Sequence, residues 1–292
     1  MAAVADNRGI RLKQRLSRIA VIISITLLGL KLWAWSVSHS LAILSDTLNS
    51  LLDVFSYTTV AFSMRIQDQA PDASHPFGHR RAEPLAGMLI AIVAALLGFN
   101  LAKDGVLALI APSETTLTPT AVYIMVIAIA AKIGLVIAYD KAWKITASPA
   151  IYASMVDSRN DILMSCAALF GFLYGGIWDA SAALIIGLWV MWSGVRIGLD
   201  NMDYLMGKTA STEYIDKLRR IALSVPGVLG TNDIRAHYVG DQLHVELHAE
   251  VSAEIGIVDG HLIEVALRDR LEALDEVGHA FIHLDPVRKP PV

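Results

Sequence analysis

Long apolar stretches alternate with short polar links over the first two thirds of the chain. Six of these stretches have the roughly 20 residues that a helix needs to cross a bilayer. They are Ile19–Val37, Leu41–Met64, Leu85–Leu109, Ala121–Tyr139, Ile151–Tyr174 and Ala180–Leu199. The first stretch lacks a small-residue cleavage site, so it is interpreted as a membrane helix and not as a signal peptide. The pattern predicts an all-α transmembrane domain of six helices over residues 17–207, preceded by a polar cytoplasmic segment at 1–16.

The pattern changes after Asn201 to that of a small soluble domain. Helical periodicity and short alternating runs predict five elements, and Gly240-Asp241 between the first two strands is a hairpin signal. The elements are a helix at Thr212–Val225, strands at Val228–Val239 and Gln242–Val251, a helix at Gly260–Leu274 and a strand at Ala280–Leu284. The order αββαβ predicts a two-layer, ferredoxin-like α+β domain over residues 208–292.

Composition and charge support a membrane protein. Of the 292 residues, 54% are apolar and only 18% are charged, which is far from the balance of a soluble protein. The basic residues of the termini and links fall on one side: Arg8, Arg11, Lys13, Arg15, Arg18, Arg65, Arg80, Arg81, Lys141 and Lys144. Because basic links stay inside, we expect both termini in the cytoplasm. The partners expected are lipid and cations, with no nucleic acid.

Two of the predicted membrane helices carry acidic residues in an apolar setting. Asn49 and Asp53 are four apart, as are Asp157 and Asp161, so each pair lies on one face of its helix. If the two faces meet, three carboxylates and one amide oxygen surround one point, which is a cation site. A buried charge costs at least about 2.5–3.5 kcal/mol and usually marks an ion pathway. Asp46 lies on the same face and is a candidate for a supporting position or a proton acceptor.

A structural interpretation competes with the ion pathway. Carboxylates near a membrane surface can reach water, and polar residues can join helices by hydrogen bonds. Two spaced pairs on two helices favour the pathway over both. An intramembrane aspartyl protease also needs two membrane aspartates, but the Gly-x-Gly-Asp motif is missing after Tyr139-Asp140. A membrane metal sensor or scaffold stays open as a further alternative.

Histidines are concentrated in the soluble domain. Six of the nine lie there: His237, His244, His248, His261, His279 and His283, with Asp285 two residues after the last. Such a concentration suggests metal binding, and imidazole favours zinc, copper, iron or nickel over manganese. Histidines on a sheet surface are the alternative. A second cluster, Asp72, His75 and His79, lies in the link between helices two and three.

The helix plan, the acidic pairs, the link HPFGHRRAEPLAG and the ending HAFIHLDP together resemble the cation diffusion facilitator family, in particular its bacterial ferrous-iron and zinc efflux members. The resemblance implies a homodimeric divalent-cation/proton antiporter of the bacterial inner membrane, not an enzyme, with no prosthetic group. It implies three metal sites. These are a transport site at Asn49, Asp53, Asp157 and Asp161, a loop site at Asp72, His75 and His79, and a cytoplasmic site at His248, His261, His283 and Asp285.

The chain departs from the family pattern at two places. Zinc transporters of the family typically have a histidine in the transport-site pairs, whereas all four donors here are oxygens. Oxygen donors suit Mn²⁺ better than Zn²⁺, so we expect manganese, with Fe²⁺, Co²⁺, Zn²⁺ and Cd²⁺ as the other candidates. Asn232 stands where relatives have a histidine of the cytoplasmic site, which leaves one ligand of that site weaker or lost.

Overall fold

Six long helices precede a small domain of two helices and three strands. The structure is a computed structural model and describes residues 2–67, 69–111, 115–146 and 149–287. The elements are α1 Ala2–Ser38, α2 Leu41–Gln67, α3 Ala82–Ile110, α4 Pro119–Thr146, α5 Pro149–Tyr174, α6 Gly176–Leu205, α7 Thr212–Leu223, β1 Gly230–Val239, β2 Gln242–Ser252, α8 Ile257–Glu272 and β3 Val277–Val287. The predicted fold class is confirmed.

Four helices in the described part of the chain are long and apolar enough to cross a membrane. They are α1 from Arg18 onwards, α3, α4 as far as Ile145, and α6. The other two long helices, α2 and α5, are those that carry the acidic pairs. Their lower apolar content follows from those polar side chains, which need partners inside a bundle.

Several element boundaries differ from the sequence-based expectation, and those of α1 and β3 have a clear physical reason. α1 begins at Ala2 and not near Ile19, because the basic residues of the N-terminal segment are themselves good helix formers. β3 runs over Val277–Val287 and not only over Ala280–Leu284. It is longer because its backbone pairs with β2 along ten positions, from Leu243 to Ser252, which no local pattern specifies.

The chain divides into two compact units, Met1–Thr59 with Leu89–Ile197, and Val60–Met88 with Gly198–Val292. In the first unit, α4 packs against both α1 and α5. The core there includes fully buried side chains from α2, α4, α5 and α6, namely Ile43, Met125, Phe172 and Ile186. The acidic faces of α2 and α5 are therefore held within one packed group of helices.

Helices α3 and α6 approach each other through glycine and alanine. A Cβ atom on Gly105 would lie 2.8 Å from the Cα atom of Leu184, and one on Gly194 would lie 2.6 Å from the backbone nitrogen of Ala95. Both distances are shorter than real Cβ contacts, so only glycine fits. Small residues give membrane helices the close backbone packing that apolar burial cannot supply in lipid.

The start of α2 is fixed by a carboxylate from α6. Asp179 is buried and accepts hydrogen bonds from the backbone N–H of Leu41 at 2.8 Å and of Ala42 at 3.4 Å, and from the hydroxyl of Ser40. Ser40 in turn caps the helix by accepting from the N–H of Ile43 at 3.1 Å. These bonds satisfy the free amides of the first turn and orient the helix that carries Asn49 and Asp53.

The three-stranded sheet has the order β1-β2-β3. β1 and β2 form the expected antiparallel hairpin, whereas β2 and β3 are parallel and joined through α8. Alternate residues of β2, namely Leu243, Val245 and Leu247, are buried with residues of α7 and α8 in one core. The other face of β2 carries His244 and His248, as the even spacing predicts.

A buried ion pair joins α1, α2 and α5. The Lys31 ammonium lies 2.8 Å from the Asp46 carboxylate, and both side chains are only 1% exposed. Lys31 also donates to the hydroxyls of Ser50 at 3.0 Å and Ser165 at 3.1 Å, and Ser165 donates to Asp46 at 3.0 Å. All three directions of the ammonium therefore have an acceptor, and the charges are neutralised within the bundle.

Replacing Lys31 by Met leaves the Asp46 charge buried without its partner. We expect a loss of about 3–5 kcal/mol in the free energy of unfolding, because an uncompensated buried charge is more costly than no pair at all. Thermal unfolding of the detergent-solubilised chain measures the effect. In the matched control, Lys31→Met combined with Asp46→Leu, most of the stability should return. A single variant as stable as the wild type would contradict the structural role of the pair.

Candidate metal centres

The faces of α2 and α5 meet at Asn49 and Asp161. The Asn49 amide donates to Asp161 Oδ1 at 3.4 Å, and Asp53 interacts electrostatically with both Asp161 and Asp157. Asp53 and Asp161 are half-buried, whereas Asp157 is exposed. Among the residues described, the three carboxylates do not have oxygens that all lie within 4.8 Å of one another. The structure thus brings the predicted residues to one region but does not gather them around one point.

A lysine of α4 occupies this region and was missed in the sequence analysis. The Lys132 ammonium donates to Asp161 Oδ2, and the two side chains are 7% and 15% exposed. Lys132 also interacts electrostatically with Asp53 and Asp157. The sequence did contain a signal for this contact, namely a single lysine inside the apolar run of α4. A buried ammonium needs a carboxylate partner, just as a buried carboxylate needs a cation.

Asp46 does not offer a free carboxylate to the predicted transport site. Its two oxygens are engaged by Lys31 and Ser165 in the buried network described above. The same helical face therefore carries two separate polar groups. Asp46 belongs to a closed network, whereas Asn49 and Asp53 belong to the region around Asp161.

The loop cluster is organised around Asp72. Its Oδ1 accepts from the backbone N–H groups of Ser74 at 2.8 Å and His75 at 2.7 Å and from the Ser74 hydroxyl at 2.8 Å. These bonds, the Ser74 hydroxyl first, lower the pKa of Asp72 to about 2. The carboxylate also lies 3.4 Å from His75 Nδ1 and 3.5 Å from His79 Nε2. One donor atom from each residue lies within 4.8 Å of the others, which fits a single divalent ion.

Three of the four predicted residues of the cytoplasmic site also converge. Asp285 lies 3.3 Å from His248 Nδ1 and 3.3 Å from His283 Nε2, so that two nitrogens and one oxygen face one point. Asn232 donates to Asp285 Oδ2 at 3.1 Å. That bond first, and the bond from His248 after it, lower the pKa of Asp285 below its ordinary value. The donor set fits a divalent metal ion, and Asn232 supports its carboxylate ligand.

His261 lies outside this group of three. Its Nδ1 is 3.2 Å from Glu264 Oε2 on its own helix, and it lines a cavity of about 700 Å³ together with His283. Exposed apolar side chains surround it on α8, namely Ile257, Val258 and Leu262. In the described residues of one chain, His261 is therefore outside the group formed by His248, His283 and Asp285.

A second group of histidines lies on the same sheet face. The His244 ring is 5.9 Å from that of His237 and 5.3 Å from that of His279, and Phe77 of the loop lies 5.8 Å from it. Burial, followed by His279 and His237, lowers the pKa of His244 to about 4. Arg80 pairs with Asp241 at 2.6 Å beside this group. His244 is thus a neutral packing residue between the loop and the sheet.

Comparison with known proteins agrees with the architecture. Residues 17–206 match the cation efflux transmembrane domain, and residues 210–287 match the cytoplasmic domain of cation efflux proteins. An uncharacterized transporter of Methanocaldococcus jannaschii, MJ0449, is 34% identical over 278 residues, covering 92% of this chain and 97% of that protein. The cation-efflux pumps FieF of Cronobacter sakazakii and Escherichia coli are 28% and 29% identical, each covering 94% of this chain and 93% of the relative. The resemblance to cation diffusion facilitators is thereby confirmed: the chain belongs to the cation efflux family, whose members are multi-pass membrane transporters and not enzymes.

Proposed function

We propose that this chain is a divalent-cation/proton antiporter that exports Mn²⁺ from the cytoplasm. The observation that carries the proposal is the donor set where α2 meets α5, with Asn49 and Asp161 in contact at 3.4 Å and the carboxylate of Asp53 interacting electrostatically with Asp161. Three carboxylates and one amide offer only oxygen ligands. Such a set favours a hard or borderline ion that accepts high coordination.

Coupling to protons follows from the carboxylate chemistry. A carboxylate binds either a metal ion or a proton. Binding of metal to the site therefore releases protons, and protonation of the site weakens metal binding. A small shift of α5 against α2 would gather Asp53, Asp157 and Asp161 around the ion. If the site opens to each side of the membrane in turn, the proton gradient drives the metal outwards.

A zinc or iron exporter is the second candidate. The FieF relatives are named cation-efflux pumps, a name that specifies no metal. The oxygen-only donor set is the reason to place manganese first, because a nitrogen ligand strengthens zinc sites. The residue at position 49 distinguishes the two candidates, because an oxygen donor there favours manganese and a nitrogen donor would favour zinc.

We place the protein in the bacterial inner membrane with both termini in the cytoplasm. The support is the distribution of lysine and arginine, which are absent from the links around 36–40, 111–119 and 175–179. The division proposed is a transport domain at 17–207 and a cytoplasmic domain at 208–292. The loop and cytoplasmic clusters then lie on the side from which metal is loaded.

We further propose that the protein acts as a homodimer through its cytoplasmic domain. His261 stands apart from the other three predicted ligands within one chain, and the apolar side chains around it are exposed. A second copy that covers this face would bury Ile257, Val258 and Leu262, and it would bring further donors to the metal held by His248, His283 and Asp285.

Transport should depend on the acidic pairs. In proteoliposomes with an imposed pH gradient, the wild type should move Mn²⁺ faster than Zn²⁺, and Asp53→Ala or Asp157→Ala should abolish the flux while the protein still inserts. Each variant removes a ligand that no neighbouring side chain replaces. Flux retained in both variants would refute the site. Metal binding without flux in the wild type would favour the sensor or scaffold instead.

Metal preference should follow the donor at position 49. Asn49→His introduces a nitrogen ligand and should raise the ratio of Zn²⁺ to Mn²⁺ transport by at least about tenfold, which corresponds to roughly 1.4 kcal/mol. Asn49→Asp, which keeps an oxygen donor, is the matched control and should retain the preference for Mn²⁺. An unchanged ratio in Asn49→His would remove the argument from donor type.

Association should depend on the cytoplasmic ligands. Replacing His248 and His283 by Ala should weaken dimers of the detergent-solubilised full chain in the presence of metal, as measured by sedimentation. The relative rates for different metals should not change, because the substitutions lie outside the transport site. If the wild type and the variant dimerise equally strongly, and metal changes neither, the interface is not supported by metal.

A further inference from the structure

Lys31 and Lys132, both buried in the described part of the transmembrane helices, are held in different ways. Lys31 has three acceptors, Asp46, Ser50 and Ser165, which match the three donor directions of an ammonium. Lys132 donates to a single residue, Asp161, among the residues that the structure describes. Lys31 is locked in a closed network, whereas Lys132 is held by one contact that another cation can take over.

That one contact is with a proposed metal ligand. Asp161 accepts from Lys132 on Oδ2 and from Asn49 on Oδ1 at 3.4 Å, so both oxygens already face a donor. A metal ion that uses Asp161 has to share or displace the ammonium. Lys132 also interacts electrostatically with Asp53 and Asp157, so its charge acts on every carboxylate of the site.

We propose that the Lys132 ammonium is a tethered competitor of the transported divalent cation, which weakens binding at Asp161 and thereby speeds release. The inference rests on the proposed function of the transport site. Three ionised carboxylates attract a divalent ion strongly at low dielectric constant, and a positive charge fixed beside them reduces that attraction. A transporter needs such a limit on its affinity for the ion, because an ion that binds too tightly is not released.

The competing explanation is purely structural. Lys132 would then only neutralise Asp161 and hold α4 against α5. The two roles predict opposite signs for the affinity change. Loss of a competitor tightens metal binding, whereas loss of a structural support leaves the carboxylate misplaced and weakens binding or leaves it unchanged.

The test compares Mn²⁺ binding by calorimetry in the detergent-solubilised full chain at constant pH. Lys132→Gln removes the charge and should lower the Kd at least about tenfold, while slowing maximal Mn²⁺ flux in proteoliposomes. Lys132→Arg keeps a cation, and its Kd should stay at least about fivefold above that of Lys132→Gln. An unchanged or higher Kd in Lys132→Gln, or equal tightening in both variants, would overturn the inference.

A second test uses chemical modification, so that the two samples compared come from the same folded variant. Lys132→Cys in a Cys166→Ser background is purified once and divided in two. One half is modified with a thiol reagent that restores an ammonium, and the other with a neutral reagent of similar size. The neutral adduct should bind Mn²⁺ more tightly than the cationic adduct, and equal affinities would refute the competitor role. A wild type that neither binds nor moves a divalent ion would instead refute the proposed function.

Discussion

Charges inside a helical bundle have to be neutralised, because hydrocarbon offers them no water and an unpaired charge there costs several kcal/mol. Two lysines do this here in different ways. Lys31 closes a network with Asp46 that holds three helices together, and Lys132 balances Asp161 where α2 and α5 meet. The first pair is part of a closed network, and the second lies at the proposed transport site.

The apolar helices serve to position the polar ones. α3 and α6 pack closely through glycine and alanine, and Asp179 of α6 anchors the first turn of α2. An acidic face on α2 therefore has a fixed starting point relative to its neighbours. Backbone hydrogen bonds and close packing replace the hydrophobic driving force that would orient a helix in water.

The two faces of the sheet in the C-terminal domain have different roles, since one builds the core and the other carries the candidate metal ligands. Leu243, Val245 and Leu247 build the core, and the alternate positions present histidines. Because β2 and β3 run parallel, His248 stands directly beside His283 and within reach of Asp285. Candidate ligands placed in this way do not disturb the packing of the core, because every second residue of a strand points away from it.

Local spacing alone predicted the six helices, the α+β domain and the polar faces of Asn49 with Asp53 and of Asp157 with Asp161, because these features repeat within one or two helical turns or along one strand. The partner of each charge was not predictable. Lys132 and Asp161 lie on different helices, and Ser40 precedes α2 whereas Asp179 lies on α6, so only the packing of the helices brings these groups together. The same holds for the parallel pairing of β2 with β3, which places His248 beside His283. Sequence periodicity determined which faces are polar, and the tertiary structure decided which groups on those faces meet.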